Sequence, residues 1–450
     1  MKENQEVIYP VGLEIGNSKV CAIAGKVTEN NKVSILDYAE AKYNPDFESM
    51  SKGITKNKEN LISTVNRVLQ ELSVKTKLEI KVANCNFSNE DIKIKAIKAE
   101  YTNDNSGFDV KNYELEELLK SAQKQVKSMG SVELLHCMPT DFFIDEEKVG
   151  KYPKGAIGNK LSCNFNAIVN PSERVEEFHK FTEGFSYEPF EKKTANNNVI
   201  IDQLIYNGHA DALAVLTLED KEAGVLLINL GSQLTEITVF KDFGLRYTKV
   251  LGIGSDSIVK DLSQAFNITF AQAERLMLAG SEISSKSIEI NEVMEIEGRN
   301  GLPTKHFLKK TVALVVESRL KEIAGLVASD IIESGYARVF GNGIMMVGAA
   351  TRMGLTKKVF QQTFNPLPIR IGNSTANIDL NTHLELAHPR YSTAIGTMLS
   401  FIKPADERMP KTRITKTRRR MGIGFLGKNS LVNKIWEMFD EPELRKAYGE

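Results

Sequence analysis

Hydrophobic and polar positions alternate most clearly over residues 226–240, LLINLGSQLTEITVF. An apolar run from Leu226 to Ile228 leads into a small-residue corner at Gly231, Ser232 and Gln233. Beyond it Thr235, Ile237 and Val239 alternate with Glu236 and Thr238. This pattern predicts strand, short turn, strand. The same features open the chain at 11–27, VGLEIGNSKVCAIAGKV: a strand ending in Glu14, a corner at Gly16-Asn17-Ser18-Lys19, and a returning strand from Val20 to Ala24. Two such units about two hundred residues apart predict two similar half-domains facing each other. Their corners would pinch an anionic group between them, most naturally phosphates.

The remaining pattern fills in an α/β chain. Residues 7–43 read as three strands, and 57–72 carry Leu61, Ile62, Val65, Val68, Leu69 and Leu72 at helical spacing. A strand meander followed by an amphipathic helix is how a ribonuclease H-like half-domain begins. Residues 79–84 read as a further strand. From 85 to 167 the character changes: strand candidates at 91–101, 132–138 and 161–169 surround a helix at 112–128, which predicts a small inserted α+β domain. Helices follow at 171–184, 208–217, 257–266, 270–279, 306–334 and 390–402, with a strand at 198–204 and a polar stretch of strands and loop at 281–304.

At 450 residues the chain is too long for one ordinary domain. The zero net charge conceals a segregation: residues 403–450 hold 12 Lys+Arg against 7 Asp+Glu, which leaves 46 against 51 in the first 402. Cys21, Cys85, Cys137 and Cys163 show no CxxC spacing and suggest no disulfide framework, so a reducing cytoplasm is expected. MKENQEVIYP lacks the apolar core of a signal peptide, and no run of 18 apolar residues exists to span a membrane. The six histidines, His136, His179, His209, His306, His383 and His388, form no metal-binding spacing. His209 and Asp211 stand at i, i+2 on one helix and face different ways. No catalytic residue and no metal site built from protein side chains alone is expected.

The order of motifs resembles the actin-like ATPase superfamily, and within it the FtsA family of bacterial cell-division proteins. The resemblance rests on VGLEIGNSKVCAIAG, on LLHCMPTDFFID (134–145) with VIIDQLIYNGHADALAVL (199–216), and on NLGSQLTEITVF. It continues through LRYTKVLGIGSDSIVKDLSQAFNITFAQAERL (245–276), GIMMVGAATRMGL (343–355), PLPIRIG and PRYSTAIG (389–396). It implies an actin-like fold of two ribonuclease H-like halves with a small inserted α+β domain, 1C. The first half, 1A, is expected at 1–84, 168–198 and 376–402, and 1C at 85–167. The second half, 2A, is expected at 199–256 and 335–375, and a smaller domain, 2B, at 257–334. A basic linker (403–428), an amphipathic helix (429–440) and a tail (441–450) would complete the chain.

The resemblance also implies ATP with Mg²⁺ between the corners. Gly16, Asn17 and Ser18 offer close backbone approach to anionic oxygens, Lys19 adds a charge, and Glu14 keeps a carboxylate nearby. Gly231, Ser232 and Gln233 form the opposing turn, and a turn beside the adenosine falls on Gly348, Ala349 and Ala350. Arg319 and Glu322, in the RLKEI segment, would lie by the nucleobase. The chain departs from the family pattern Asp-Ile-Gly-Gly-Gly-Thr at the second turn, where it has Asn229-Leu230-Gly231-Ser232-Gln233-Leu234. Asn229 replaces a carboxylate that would sit near Mg²⁺, and an amide lacks the charge a hard cation prefers. Leu234 replaces a hydroxyl donor, Gln233 adds bulk, and Ala349 stands where glycine is expected. ATPase activity is therefore expected to be weak or absent.

The tail offers separate chemistry. At 100° per residue, Leu431, Val432, Ile435, Trp436, Met438 and Phe439 of NSLVNKIWEMFD fall within an arc of about 160°. KTRITKTRRR upstream, including Arg418, Arg419 and Arg420, carries six positive charges and no negative ones. A short amphipathic helix with a polybasic lead satisfies the two-signal requirement for anchoring to an anionic membrane surface. A nucleic-acid role is not expected, because no aromatics interleave the basic tract. In the family the helix usually ends the chain, whereas here EPELRKAYGE follows and the helix's polar face is acidic. The resemblance implies self-assembly into filaments, binding of the FtsZ C-terminal peptide, contact with other division proteins, and a place on the cytoplasmic face of the membrane at the division site. Arg299, Lys305, Lys309 and Lys310 are the basic residues of 257–334 that an acidic peptide would meet. Other readings are a nucleotide-free actin-like scaffold, a sugar-kinase-type phosphotransferase, which lacks a carboxylate base at Asn229, and a chaperone-type ATPase, for which too few residues follow 400.

Overall fold

The structure, a computed structural model, describes residues 9–402 except 29–31, 45–47, 104–106, 151–152, 188–197, 283, 297–302, 375–377 and 382. Arg299 and the expected linker, helix and tail at 403–450 lie outside the described residues.

Two sheets with the same topology carry the fold. In the first, the strands run in the order Ile200–Tyr206, Val82–Phe87, Val11–Ile15, Lys19–Val27, Val33–Lys42, with Ile378–Asp379 at the far edge. In the second, the order is Gly244–Leu251, Thr235–Lys241, Val225–Leu230, Ile344–Val347, Ile369–Ile371. In each, three strands form an antiparallel meander, and the first of them pairs in parallel with a fourth, which pairs in parallel with a fifth. The repeated hydrophobic pattern thus reflects a repeated half-domain.

The apolar run at 225–230 follows from burial on both sides. Val225 and Leu227 pack into the core shared with the first half. Leu226, Ile228 and Leu230 pack into a second core with the helices Asp256–Phe266, Phe270–Gly280 and Lys309–Glu333. A strand with two apolar faces reads as a continuous run rather than an alternation.

Some expected boundaries move. Val82–Phe87 lies wholly in the first sheet, and the inserted sheet (Glu147–Val149, Val132–Ile144, Lys160–Pro171, Lys93–Thr102) begins only at Lys93 and runs on to Pro171, so 85 and 167 both cut through strands. Ile200–Tyr206, expected in the second half, pairs in parallel with Val82–Phe87 and completes the first sheet. Residues 305–308, expected largely as the start of the long helix, are instead a strand paired with Val293–Ile296. Parallel pairing across an insertion of this length has no local signature, which is why periodicity missed it.

The inserted domain packs its own core around the helix Asn112–Lys127 and is tied to the second half by Arg246. The guanidinium donates to Asp141 (2.7 Å), and Asn166 Nδ2 donates to the Leu245 carbonyl (2.9 Å). Arg246→Ala is expected to cost about 1–2 kcal/mol in a urea titration, because Asp141 keeps a second partner, Lys148, at 2.8 Å. An unchanged midpoint would show that this tie contributes nothing.

Candidate functional site

The site is built by register. In the second sheet Asn229 pairs directly with Glu236, so both side chains leave the same face as Val225 and Leu227, toward the first half. In the first sheet Glu14 shares a face with Gly12, against the helix Ser392–Leu399: a Cβ on Gly12 would lie 2.4 Å from Met398 N. Between the sheets the helices Asn207–Val215 and Ser392–Leu399 pack in close contact, with Gly396 against Ala210.

The two corners close in the same way. Gly16 N donates to Lys19 O and Gly231 N donates to Leu234 O, each at 2.9 Å. Gly254 lies so close behind the second turn that a Cβ would come within 2.5 Å of Ser232 O. Among the described residues, the backbone N–H groups of Asn17, Ser18, Ser232 and Gln233 donate to no protein acceptor, and all four residues are partly or fully exposed. Free amides on two facing turns suit anionic oxygens. The third turn meets this floor: Gly348, at φ +95°, has no room for a Cβ, which would lie 2.4 Å from Asn229 Oδ1. Ala349 and Ala350 open the short helix that follows.

Beneath the turns lie three carboxylates. Glu14 is half-buried, and its Oε2 is shielded from solvent with no hydrogen-bond partner. Burial raises its pKa to about 7 against the lowering pull of Lys19, with Asp211 and Glu40 adding to the rise. Asp211 is fully buried. Its Oδ2 accepts from Asn229 Nδ2 at 2.7 Å, and its Oδ1 accepts from the Ser392 and Thr393 hydroxyls at 2.7 and 2.9 Å. Burial lifts its pKa to about 6 in spite of those three donors. Glu236 accepts from Asn207 Nδ2 at 2.9 Å while its Oε2 has no partner, and burial, with Asp211 as the next cause, pushes its pKa up to about 8. Asn207 accepts from Asn86, and Asn86 accepts from the Ile15 amide, so one polar chain links the strand of Glu14 to Glu236 across the halves.

Other expected site residues have protein partners. Lys19 sits 2.7 Å from Glu40, which Arg390 also contacts at 2.8 Å, and its ammonium lies over the Tyr391 ring. Burial works against ionisation of Glu40, but Lys19 and Arg390 outweigh it and hold the carboxyl below its ordinary range. The Gln233 side chain is engaged: Oε1 accepts from Lys52 N at 2.9 Å, in the hairpin where Gly53 N also donates to Asn17. Arg319 forks onto Asp261 at 2.7 and 2.8 Å and reaches Glu322 at 2.6 Å, bracing the long helix on its neighbour. No hydrogen bond among the described residues joins Arg319 or Glu322 to the turns. Lys305 donates to Asn267 O, and Lys309 is paired with Glu292 at 2.9 Å.

Asp211 and Glu236 escaped the sequence reading. The one charged side chain in NGHADALAV, a run dominated by alanine and aliphatic residues, was the available signal for Asp211.

Nucleotide with a divalent cation fits this donor set in part. Free amides line the two turns, and the Glu14 Oε2 oxygen is an acceptor that no protein donor uses. Among the described residues no three His, Cys, Asp or Glu side chains could hold a metal ion together, so a cation here would share its coordination with phosphate oxygens.

Comparison with known proteins gives concordant matches. A family model described as cell division protein FtsA matches residues 226–396, and a model described as the SHS2 domain inserted in FtsA matches 89–169. The cell division protein FtsA of Pseudomonas aeruginosa is 24% identical over 407 residues, covering 89% of this chain and 90% of the relative. That of Escherichia coli is 24% identical over 400 residues, covering 86% and 89%. Among solved structures, a chain of a PilM-PilN type IV pilus biogenesis complex superposes with a TM-score of 0.60 at 12% identity, covering 88% of this chain and 99% of that one. The fold is actin-like, with the inserted domain in place.

Proposed function

We propose that this chain, which belongs to the FtsA family of cell division proteins, binds ATP with Mg²⁺ between its two facing turns, self-assembles, and tethers FtsZ to the cytoplasmic face of the membrane. The observation that supports nucleotide binding is the pair of turns at Gly16 and Gly231, with four unused backbone N–H groups above a floor of buried carboxylates. Bound nucleotide supplies the polyphosphate that the turns clasp from both halves. The turn amides of Asn17, Ser18, Ser232 and Gln233 would bind phosphate oxygens, and Lys19 would exchange Glu40 for phosphate. Glu14 would hold the cation's side of the site. Hydrolysis is slow or absent in this reading, because Asn229 offers an amide and Leu234 a buried methyl group where a carboxylate and a hydroxyl would orient water.

Partner and membrane contacts belong to other surfaces. On the hairpin of the smaller domain, Val293 and Leu308 stand opposite each other and exposed, with Ile290 exposed nearby. Lys305 and Lys310 flank them, while Lys309 is neutralised by Glu292. Exposed apolar side chains beside Lys305 and Lys310, on a segment that also exposes Glu289 and Glu295, suit a partly apolar peptide such as the FtsZ C-terminal segment. Among the described residues no helix is long and apolar enough to cross a membrane. The proposed tether is the polybasic tract at 411–420 with Leu431, Val432, Ile435, Trp436 and Phe439.

Liposome co-sedimentation tests the tether. The full chain is expected to pellet with anionic vesicles and to bring an FtsZ C-terminal peptide with it, whereas a chain ending at Pro410 stays in the supernatant. Trp436→Glu is expected to lower the bound fraction without changing the fold. If the full chain also remains soluble, the tether is wrong. The engagement of Lys19 by Glu40 and of Gln233 by Lys52 favours a second reading, a scaffold without nucleotide. Calorimetric titration with ATP and Mg²⁺ separates the two: heat and a raised melting temperature support the binding reading, and neither supports the scaffold.

A further inference from the structure

We propose that Asp211 supplies, from the helix between the two halves, the negative charge that Asn229 withholds from the nucleotide site, so that Glu14 and Asp211 together serve the nucleotide's divalent cation. The inference rests on the nucleotide-binding reading above.

Three observations carry it. The first is placement. Asp211 Oδ2 lies 2.7 Å from Asn229 Nδ2, so the missing carboxylate is displaced by one hydrogen bond rather than lost. That bond also orients the amide, since an ionised carboxylate accepts only from the Nδ2 side. Asn229 Oδ1 is then turned toward Gly348 and the third turn. The second is environment. Asp211 is fully buried in a seam of small side chains, including Ala210, Ala212 and Ala394, and its three hydrogen-bond donors are all neutral. A buried carboxylate satisfied only by neutral donors is costly, and an asparagine could serve as a fastener between helices without the charge.

The third observation is independent of Asp211's own contacts. Glu14 Oε2, from the other half, is shielded from solvent and accepts no hydrogen bond. Asp211 and Glu14 share one field, and Lys19, the cation nearest to opposing it, is itself paired with Glu40 at 2.7 Å. A hard divalent ion selects for this, because its affinity rises with the number of charged oxygens it meets.

The test exploits the exchange of amide and acid. ATP binding to the full-length chain is measured by calorimetry in MgCl₂ and in EDTA, for wild type, Asp211→Asn, and the exchange variant Asp211→Asn/Asn229→Asp. Wild type is expected to bind more tightly with Mg²⁺. Asp211→Asn should lose about tenfold of that enhancement, while binding in EDTA stays equal or improves. The exchange variant should recover the enhancement. A fastener role predicts a different result: Asp211→Asn would keep the full Mg²⁺ enhancement, and that outcome overturns the proposal while leaving nucleotide binding intact. Wild type that binds ATP in neither buffer overturns both.

Melting temperatures guard against a folding defect. Asn229→Asp alone places two carboxylates within hydrogen-bond distance, so it should melt lower than wild type in EDTA and regain that loss on addition of Mg²⁺ and ATP. A melting temperature that those additions do not restore counts against the cation assignment.

Discussion

Replacing Gly396 by alanine is expected to lower stability by about 3 kcal/mol or more, among the largest effects of any single methyl group in this protein. A Cβ at this position would lie 1.7 Å from the Ala210 carbonyl oxygen and 2.3 Å from its carbon. Both atoms are backbone, so no side chain can swing aside. The helices Asn207–Val215 and Ser392–Leu399 would have to separate by an ångström or more. Separation is costly here because the first helix is wedged on its other side as well: a Cβ on Gly208 would lie 2.2 Å from the Thr238 hydroxyl of the second sheet. The change also reaches the site. Ser392 and Thr393 precede Gly396 by one turn, and Asp211 follows Ala210, so the three hydrogen bonds to Asp211 stretch when the helices part. The expected result is a lower urea midpoint together with weaker ATP binding. Gly325→Ala is the matched control: it lies within the helix Lys309–Glu333, nothing approaches its Cβ within 4 Å, and alanine there should stabilise by about 0.5–1 kcal/mol. Equal midpoints for the two variants would mean that the seam does not constrain the halves.

What could be read from the chain alone divides along a physical line. The corners at Gly16 and Gly231 were legible because a tight turn between apolar strands is a local event. The doubled architecture was legible for the same reason, since each copy repeats the pattern within a few dozen residues. Glu236 was visible only as the polar member of an alternation. Alternation identifies two faces but not what each one meets, and here the face of Glu236 and Thr238 turns to the other half rather than to water. Asp211 has no local signature, because its neighbour His209 points elsewhere along the helix. Its partners are Asn229, Ser392 and Thr393, up to 182 residues away in sequence. The ion pair of Arg319 with Asp261 is likewise set by how two helices pack, and neither residue names the other in the sequence.

The departures from the family pattern also change meaning in three dimensions. As a string, Asn229-Leu230-Gly231-Ser232-Gln233-Leu234 reads as decay of a phosphate turn. In the fold, Gln233 clasps the Lys52 hairpin of the other half, Leu234 joins the shared core, and Asn229 is held by a carboxylate from the intervening helix. The turn is tied into contacts between the halves.

Those contacts make stability depend on pH in a direction opposite to that of a protein held by ion pairs. Glu14, Asp211 and Glu236 have folded-state pKa values raised to about 7, about 6 and about 8. An unfolded chain releases these protons near pH 4, so between pH 5 and 8 the folded state binds more protons than the unfolded one. Stability from these groups is therefore fully present at low pH and is lost as pH rises through the folded values. The carboxylates held low by basic neighbours, such as Glu40, Asp141 and Asp220, titrate below this window and do not oppose the trend within it. His179 and His388, held low by burial, oppose it while the unfolded imidazoles still carry protons, an opposition that fades from about pH 6.5 upward. From pH 6.5 to 8 the nucleotide-free chain is expected to lose about 2–3 kcal/mol, read as a falling urea midpoint. Glu236→Gln keeps the oxygen that Asn207 contacts and removes the group with the highest of the three values, so it should flatten that fall by about two thirds. A midpoint that rises with pH over this interval, or a slope that Glu236→Gln leaves unaltered, would show that folding does not raise the proton affinity of these carboxylates.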